Sequence, residues 1–339
     1  MTGSDTYQPR KRLRNGHVMT VFAWGKPRHF PKLPTPTERL FEVAPGTRVL
    51  AHCHWQADRA AAPLLLALHG LEGSSSAHYM RGLADKAWRA GFNIVLLNQR
   101  NCGGTENLAD GLYHSGLTGD ADHVIREVTR SDGVTSVVVA GYSLGGNLAL
   151  KLAGDYGTNA PRELKGVGAV SPVMELGDCV GALERRQNVI YQWNFVRGLK
   201  ARMRRKAACH PGRFSLEPLD RIRSVRAFDE VYTAPHFGFR DATDYYHRAS
   251  AMRVIDRIAV PALIITAEDD PFVPSQPFRD ARVTTNPHIR VIITRHGGHC
   301  AFLSEPVNGE DGYWAESQIV NFASVADRRP QTADRTPLR

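Results

Sequence analysis

The segment SVVVAGYSLGGNLALKLAG, residues 136–154, changes its pattern at Ser143. Before this serine, a run of β-branched residues is typical of a buried strand, and after it a nearly all-apolar helix is predicted over residues 144–153. The junction reads Gly141-Tyr142-Ser143-Leu144-Gly145, a GxSxG sequence. Between a strand and a helix, this sequence indicates a tight turn that presents a nucleophilic serine; out of that setting it would be only a turn of small residues.

Buried strands alternate with helices on both sides of this segment. Strands are predicted at residues 63–68, 93–97, 136–140, 167–173, 262–266 and 291–294, and helices at 80–88, 120–129, 144–153 and 314–323. A hairpin is predicted at residues 39–55, with its turn at Pro45-Gly46. Continuous apolar strands that alternate with helices indicate a mostly parallel central sheet with helices on both faces, an α/β fold.

The alternation stops at residues 176–258, which are helical in pattern and rich in arginine and aromatic residues. Because this segment is too long for a loop, we expect a helical cap inserted after the sixth strand. We predict five consecutive segments: a basic, proline-rich surface arm (residues 1–37), the first part of the α/β core (38–175), the cap (176–258), the second part of the core (259–328) and a disordered tail (329–339).

Composition excludes several classes of protein. The 339 residues are 42% hydrophobic and 23% charged, as in globular proteins, and no apolar run reaches the ~20 residues of a membrane span. The N-terminus lacks the apolar segment of a secretory signal. The net charge of +9 is concentrated in residues 1–32 and 184–206, which carry +6 and +7, so the remaining body is acidic. A basic nucleic-acid-binding face is therefore not expected.

Cysteine usage favours a reducing compartment, so we expect a cytoplasmic protein. The five cysteines are widely spaced and form no CxxC pair, which argues against a disulfide framework and a zinc site; they are Cys53, Cys102, Cys179, Cys209 and Cys300. The triplet His52-Cys53-His54 could place two histidines on one strand face, but a plain strand is the favoured interpretation. Cys300 is expected to be a buried filler and not a reactive thiol.

A serine hydroxyl becomes a good nucleophile only with a general base and an acid that orients the base. In α/β sheets these groups lie beyond the C-terminal ends of strands, which directs the search to the last two predicted strands. Asp269 and Asp270 follow the first of them. We favour Asp270, because an apolar pair and Pro274 come after it. If neither aspartate had a catalytic role, the pair would be a solvated turn.

Two histidines, His296 and His299, follow the last strand. We favour His299 as the base, because Gly297-Gly298 before it allow a loop to bring its imidazole over the serine. His296 is closer to the strand end and is expected to be structural. The order serine, aspartate, histidine is that of α/β-hydrolases.

Acyl transfer also needs backbone N–H groups that stabilise the oxyanion. One donor is predicted at Leu144, the residue after the nucleophile, and the other at Leu71, in the turn that follows His69-Gly70. The same glycine-rich turn could simply cap the following helix, and the two roles are compatible. Nothing in this machinery requires a metal or an organic cofactor.

Several motifs together resemble the YheT-type branch of the α/β-hydrolases, which includes abhydrolase-domain lipases and medium-chain fatty acid ethyl ester synthase/esterases. The resemblance covers about residues 15–325 and rests on these motifs: Asn15-Gly16-His17, His69-Gly70-Leu71-Glu72-Gly73-Ser74, Arg100-Asn101-Cys102-Gly103-Gly104, Tyr113-His114-Ser115-Gly116, Phe228-Asp229-Glu230, Tyr232-Thr233-Ala234-Pro235, Gly238-Phe239, Tyr245-Tyr246 and Gly297-Gly298-His299. Two positions depart from the family pattern: Asn101 replaces a glycine, and Val18-Met19-Thr20 replaces Leu-Gln-Thr.

The resemblance implies the α/β-hydrolase fold and a serine hydrolase of carboxylic esters, on short- to medium-chain acyl or lipid esters. By the family pattern, Ser143, Asp270 and His299 match the catalytic triad. Two alternatives stay open: acyl transfer to alcohols or cleavage of thioesters or amides by the same residues, and a non-catalytic relative that only binds ligands.

One cap segment has an apolar stripe, Phe195, Leu199 and Met203, among six basic residues: Arg197, Lys200, Arg202, Arg204, Arg205 and Lys206. This pattern could be a helix that binds an anionic membrane near the active site. The favoured interpretation is a cap helix that packs its stripe on the body and exposes its basic face to solvent.

Overall fold

We analysed a computed structural model of the protein, which describes residues 7–307 and 309–328. Its centre is a single eight-stranded sheet with the strand order β1-β2-β4-β3-β5-β6-β7-β8. The strands are β1 (Thr37–Ala44), β2 (Thr47–His54), β3 (Leu64–Leu68), β4 (Asn93–Leu97), β5 (Val137–Tyr142), β6 (Leu164–Val170), β7 (Ala262–Ala267) and β8 (Ile289–Thr294). Strands β4 to β8 and β3 run parallel, while β2 is antiparallel to both of its neighbours.

The predicted mostly parallel sheet is therefore confirmed, and so is the hairpin, which is formed by β1 and β2. Every residue of β3, β4, β5 and β7 is buried, which explains why these strands read as unbroken apolar runs in the sequence. The order of the strands reverses at β3, which lies between β4 and β5. Ligand sites in α/β sheets form at such a reversal, beyond the carboxyl ends of the strands.

Helices cover both faces of the sheet. The helices outside the cap are α1 (Gly16–Gly25), α2 (His78–Arg89), α3 (Gly119–Asp132), α4 (Leu144–Tyr156), α10 (Ala281–Thr284) and α11 (Trp314–Asp327). On one face, α2 and α11 pack against alternate strand residues such as Leu65 and Ala67. On the other face, α3 and α4 pack against the residues between them, such as Leu64 and Leu66.

Between β6 and β7, the chain forms helices and no strand. The helices here are α5 (Leu176–Leu183), α6 (Val189–Cys209), α7 (Val225–Phe228), a π-helical turn (Asp229–Thr233), α8 (Ala234–His236) and α9 (Ala242–Ala249). We keep the name cap for residues 176–258. Cap residues such as Leu199 and Met203 belong to the same buried cluster as the sheet residues Leu66 and Val139. The cap therefore shares a core with the body and is not a separate globule.

The N-terminal segment differs from the expected surface arm, because it contains helix α1. The side chain of Asn15 caps this helix by accepting a hydrogen bond from the Val18 N–H at 3.1 Å. Met19 and Ala23 are buried in a small cluster with residues near the C-terminus, such as Leu303. The predicted disordered tail, residues 329–339, lies outside the described residues.

Beyond α1, the segment is anchored by a buried ionic network. The Arg28 guanidinium donates to Glu316 Oε1 at 2.6 Å and Oε2 at 2.8 Å, and Lys86 Nζ donates to Glu316 at 2.7 Å. Asp311 completes the network by pairing with both cations. Burial raises the pKa of Asp311, but Lys86 and Arg28 more than offset this and lower it to about 2. The network thus joins the N-terminal segment, α2 and α11, and Asp311 stays ionised unless the medium is strongly acidic.

Within the part of the chain that the structure describes, no helix is both long enough and apolar enough to cross a bilayer.

We predict that Glu316→Gln lowers the free energy of unfolding by about 3 kcal/mol, because it leaves two buried cations without their shared carboxylate. Chemical denaturation at neutral pH measures this. The matched control is Glu163→Gln, whose partner Arg162 is 82% exposed; its expected cost is at most about 1 kcal/mol. Equal costs for the two variants would show that the network does not anchor the segment.

Candidate active site

Ser143 lies at the junction of β5 and α4 in a strained backbone conformation. Its φ of 54° and ψ of −114° are rare for a residue with a side chain. The Ser143 N–H donates to Val170 O at 2.9 Å, which ties the turn to the end of β6. The serine is thus held at the carboxyl edge of the sheet and at the N-terminus of a buried helix, whose dipole favours developing negative charge.

The glycines around Ser143 are required by close backbone contacts. A Cβ at Gly141 would lie 2.0 Å from Gly145 O, and a Cβ at Gly145 would lie 2.2 Å from Leu68 O. Real Cβ atoms do not come so close to backbone, so neither position accommodates a side chain without movement of the main chain. The predicted tight turn therefore requires glycine at both positions.

Asp270 and His299 form a buried pair. The His299 Nδ1–H donates to Asp270 Oδ2 at 2.8 Å, and the Asp270 side chain is fully buried. The other carboxylate oxygen accepts hydrogen bonds from the Phe272 and Val273 N–H groups at 3.1 and 3.0 Å. Because the carboxylate fixes the proton on Nδ1, Nε2 of the imidazole is left as the basic nitrogen.

Asp269 and His296, the neighbouring candidates, form a second pair. His296 Nδ1 lies 3.2 Å from Asp269 Oδ2, and Asp269 Oδ1 accepts a hydrogen bond from the Gly298 N–H at 2.9 Å. Asp269 therefore fixes the loop that carries His299, without contacting that imidazole. The geometry supports the preference for Asp270 as the acid and for His299 as the base.

Ser143 and His299 line the same cavity. Within the described residues, no hydrogen bond joins the two side chains; in free enzymes such contacts commonly tighten when substrate binds. Burial lowers the pKa of His299, but the Asp270 carboxylate and its hydrogen bond more than offset this effect. The pKa of His299 is therefore raised above its usual value, which makes the imidazole a stronger proton acceptor.

The two predicted oxyanion donors belong to residues beside Ser143. Leu71 and Leu144 both line the cavities at the serine, and neither N–H donates a hydrogen bond to another group in residues 7–307 and 309–328. The strained Glu72, with φ of 57°, shapes the turn that holds Leu71. These amides are the groups that the sequence predicted as oxyanion donors, and they remain candidates for that role.

Glu72 also connects this turn to the cap. Its carboxylate lies 2.9 Å from Arg202 Nη1, and both side chains are at least 85% buried. The Arg202 guanidinium also lies over the Tyr113 ring, with 4.5 Å between the carbon and the ring centroid. Sequence reasoning missed this ion pair, because Glu72 and Arg202 are 130 positions apart.

The prediction for the basic cap segment, residues 195–206, was wrong in one respect. Its stripe packs inward, as favoured, since Leu199 and Met203 are buried, but its basic face is only partly solvated. Lys206 is buried and bonds to the carbonyl oxygens of Glu106 and Ala109, and Arg205 pairs with the Glu106 carboxylate at 2.6 Å. Both cations hold the cap on the body, and Lys206 is removed from the surface by its burial.

Thr20 of α1 contacts the loop of the candidate base. Its hydroxyl oxygen accepts a hydrogen bond from the His299 N–H at 2.8 Å, while its own O–H donates to Gly16 O at 2.6 Å. Gly16 packs so tightly that a Cβ there would lie 1.8 Å from Asp269 O. Sequence reasoning noted the Asn15-Gly16-His17 motif but gave it no role; in the structure it places α1 against the His299 loop.

The structure explains why Asn101 can replace the glycine of the family pattern. This residue has a φ of 64°, in the left-handed region where glycine is favoured and asparagine is the next best tolerated residue. Its side-chain amide donates to Gly111 O at 2.9 Å. The family's glycine is therefore replaced by a residue that fits the same backbone conformation.

Two cavities meet at Ser143. The inner one, about 80 Å³, lies under the cap, and its wall is mainly apolar; Leu176, Val180, Leu183 and Phe228 contribute to it. The outer one, about 580 Å³, contains His299 and is bordered by α1 and α6. A molecule that spans both cavities would place its central bond at the serine.

The structure also places the remaining histidine and cysteine candidates. Within residues 7–307 and 309–328, no three His, Cys, Asp or Glu side chains cluster as metal ligands. His52 instead lies 3.1 Å from the Ser75 hydroxyl, and Cys53 is buried. Cys300 was expected to be a buried filler, but it is only half-buried: it lies beside His299, with its Sγ 3.6 Å from Val170 O, and lines the outer cavity.

Comparisons with known proteins identify the family of this chain. The family profile described as "alpha/beta hydrolase fold" matches residues 63–306. The chain is 34% identical over 329 residues to "Putative esterase YheT" of Escherichia coli (strain K12), an alignment that covers 96% of this chain and 94% of that protein. The resemblance found in the sequence is therefore confirmed.

Two further comparisons concern a relative and a solved structure. The chain is 29% identical over 293 residues to Medium-chain fatty acid ethyl ester synthase/esterase 2 of Saccharomyces cerevisiae, covering 78% of this chain and 62% of that protein. The structure of the Pyrococcus furiosus esterase Pf2001 superimposes with a TM-score of 0.57 at 16% identity, covering 96% of this chain and 99% of that one. The second likeness confirms the predicted fold.

We predict that Gly145→Ala lowers the free energy of unfolding by roughly 3 kcal/mol or more, since the methyl group would collide with backbone. The matched control is Gly181→Ala in α5, where a Cβ would meet no atom within 4 Å. This control should raise stability by about 0.5 to 1 kcal/mol, as expected for alanine inside a helix. Thermal or chemical denaturation compares the two variants, and a neutral Gly145→Ala would refute the tight turn.

Proposed function

This chain belongs to the YheT-type branch of the alpha/beta hydrolase fold family and is a carboxylic ester hydrolase, and we propose that Ser143, His299 and Asp270 perform its reaction. The observation that carries the proposal is the junction of three separate elements at one edge of the sheet. The strained serine follows β5, the buried aspartate follows β7, and the histidine that it orients follows β8. A stable fold does not need a strained serine and a buried aspartate beside a histidine, whereas acyl transfer needs a nucleophile, a base and an acid that orients the base.

The proposed reaction proceeds in two steps. His299 Nε2 accepts the proton of the Ser143 hydroxyl as the oxygen attacks the ester carbonyl, and the tetrahedral oxyanion is stabilised by the Leu71 and Leu144 N–H groups. His299 then donates the proton to the leaving alcohol, which leaves an acyl-serine. A water molecule that gives a proton to His299 attacks the acyl-serine; His299 then returns the proton to Ser143 Oγ as the bond to the acyl carbon breaks, which releases the carboxylic acid and restores the enzyme. Asp270 stabilises the imidazolium in both steps.

We assign the acyl group to the inner cavity and the alcohol to the outer one. The inner wall is mostly apolar, which suits a hydrocarbon chain, and its volume of about 80 Å³ is small for a ligand pocket. The yeast relative is named for medium-chain fatty acid ethyl esters. These observations support short- to medium-chain acyl esters as the substrate class.

A panel of p-nitrophenyl esters from acetyl to palmitoyl tests the proposal. We expect kcat/KM to be highest for short or medium chains and to fall once the acyl chain exceeds the inner cavity. Ser143→Ala should reduce kcat by at least ~10⁴-fold on every ester, because the nucleophile is lost. Undiminished hydrolysis by this variant would refute the assignment.

Filling the inner cavity tests the placement of the acyl chain separately. Val180→Phe adds volume on the cap side of that cavity and should move the optimum towards acetyl esters. An unchanged chain-length profile in this variant, with Ser143 still essential, would move the acyl group to the outer cavity and leave the catalytic residues in place.

The pH dependence of Asp270→Asn tests the role of the buried pair. The free histidine must be neutral to accept a proton, so kcat/KM rises with pH through its pKa. Because Asp270 raises that pKa, its removal should move the acidic limb of the profile to lower pH, while the plateau falls ~10⁴-fold. Asp269→Asn is the matched control and should lose no more than about tenfold, since Asp269 only holds the loop. The opposite ranking would identify Asp269 as the acid.

A further inference from the structure

Two helices frame the mouth of the outer cavity. Thr20, Ala23 and Trp24 of α1 lie on one side, and Tyr191 and Asn194 of α6 lie on the other. The helices touch, since the rings of His17 and Tyr191 stack with 5.8 Å between their centroids. Whatever covers these helices therefore also faces the entrance to the active site.

Both helices expose large apolar side chains beside this entrance. We define the mouth patch as Val18, Val21, Phe22 and Trp24 of α1 together with Val189, Ile190 and Trp193 of α6. Ile190 is 68% exposed and Trp193 is 61% exposed. Helix α1 is apolar on both faces: Met19 and Ala23 pack on the body, while the patch residues have no such cover within the described chain. Large exposed apolar side chains grouped on two helices that touch each other indicate an interaction site.

The patch is surrounded by positive charge. Residues 10–26 contain five basic and no acidic residues, and residues 185–206 contain eight basic and no acidic residues. Six exposed members of this set form no ion pair with another described residue: Lys11, Arg12, Arg14, Arg185, Arg186 and Arg197. Arg197 lies over the Trp193 ring at 5.0 Å from its centroid, and Lys26 lies 5.8 Å from that of Phe22. Apolar side chains that alternate with cations are the pattern of an anionic lipid interface.

We propose that the mouth patch docks the protein on an anionic phospholipid surface, with the outer cavity opening towards the lipid. The patch residues would enter the interface while the surrounding cations contact lipid phosphates and carboxylates. A second copy of this chain is the less suitable occupant, because two such patches face to face would bring like charges together. The docking goes beyond the proposed reaction and does not depend on it, since Ser143, Asp270 and His299 are outside the patch.

Vesicle cosedimentation tests this proposal on the full chain. The wild type is expected to bind vesicles of phosphatidylcholine with 30% phosphatidylserine, and to bind pure phosphatidylcholine vesicles at least tenfold more weakly. Ile190→Ser/Trp193→Ser removes apolar surface, and Arg185→Glu/Arg186→Glu reverses charge. Each double variant should lower the partition coefficient by about tenfold or more.

Matched controls come from exposed positions elsewhere. Val325, 57% exposed on α11, gives Val325→Ser, and Arg162, whose side chain is 82% exposed, gives Arg162→Glu. Both should bind vesicles as the wild type does. All variants should hydrolyse p-nitrophenyl acetate normally, since none of these side chains lines either cavity, and this readout shows that the variants are folded.

The proposal is overturned if the wild type fails to bind anionic vesicles, if it binds pure phosphatidylcholine equally well, or if both double variants bind unchanged. A dimer in solution that Ile190→Ser/Trp193→Ser dissociates, without any vesicle binding, would instead assign the patch to a second copy. Ser143→Ala should bind vesicles normally. If Ser143→Ala kept its esterase activity, the proposed reaction would be refuted, but vesicle binding would still test the docking proposal independently.

Discussion

The strained backbone of Ser143 is the constraint on which the rest of the structure depends. A residue with a side chain holds a φ of 54° only when its surroundings enforce it. Here β5 and α4 meet so closely that positions 141 and 145 have no room for a Cβ, and a hydrogen bond to β6 fixes the turn. The buried strands and the apolar helix supply the packing energy that offsets this strain.

The edge that receives Ser143 is assembled from distant parts of the chain. The loops after β3, β7 and β8 contribute Leu71, Asp270 and His299, and α1 supports the last loop through Thr20. The cap reaches the same edge through the ion pair between Arg202 and Glu72. The parallel sheet makes this possible, because it brings the carboxyl ends of neighbouring strands to one side. The ion pair consequently couples the cap to the turn that holds Leu71, so the cap is joined to the candidate active site and does not merely cover it.

The local pattern of the sequence was enough to predict the sheet, the main helices and the pairing of Asp270 with His299. Most strands are apolar runs between residues that favour turns. The candidate catalytic residues directly follow strands, and a parallel sheet brings such residues together at one edge. Helix α1 was missed because GHVMTVFAWG is apolar on both faces and gives no clean helical period. Thr20 and Arg202 were missed for another reason: their partners, His299 and Glu72, are remote in sequence, so only the folded chain pairs them.

Covalent labelling with a fluorophosphonate tests whether His299 activates Ser143, since such reagents phosphonylate a serine that an adjacent imidazole has activated. We predict about one adduct per chain, located by peptide mass spectrometry on Ser143, with ester hydrolysis lost in proportion to labelling and labelling abolished in His299→Ala. An enzyme that stays fully active with Ser143 saturated, or that loses activity through an adduct on a different serine, would refute Ser143 as the nucleophile.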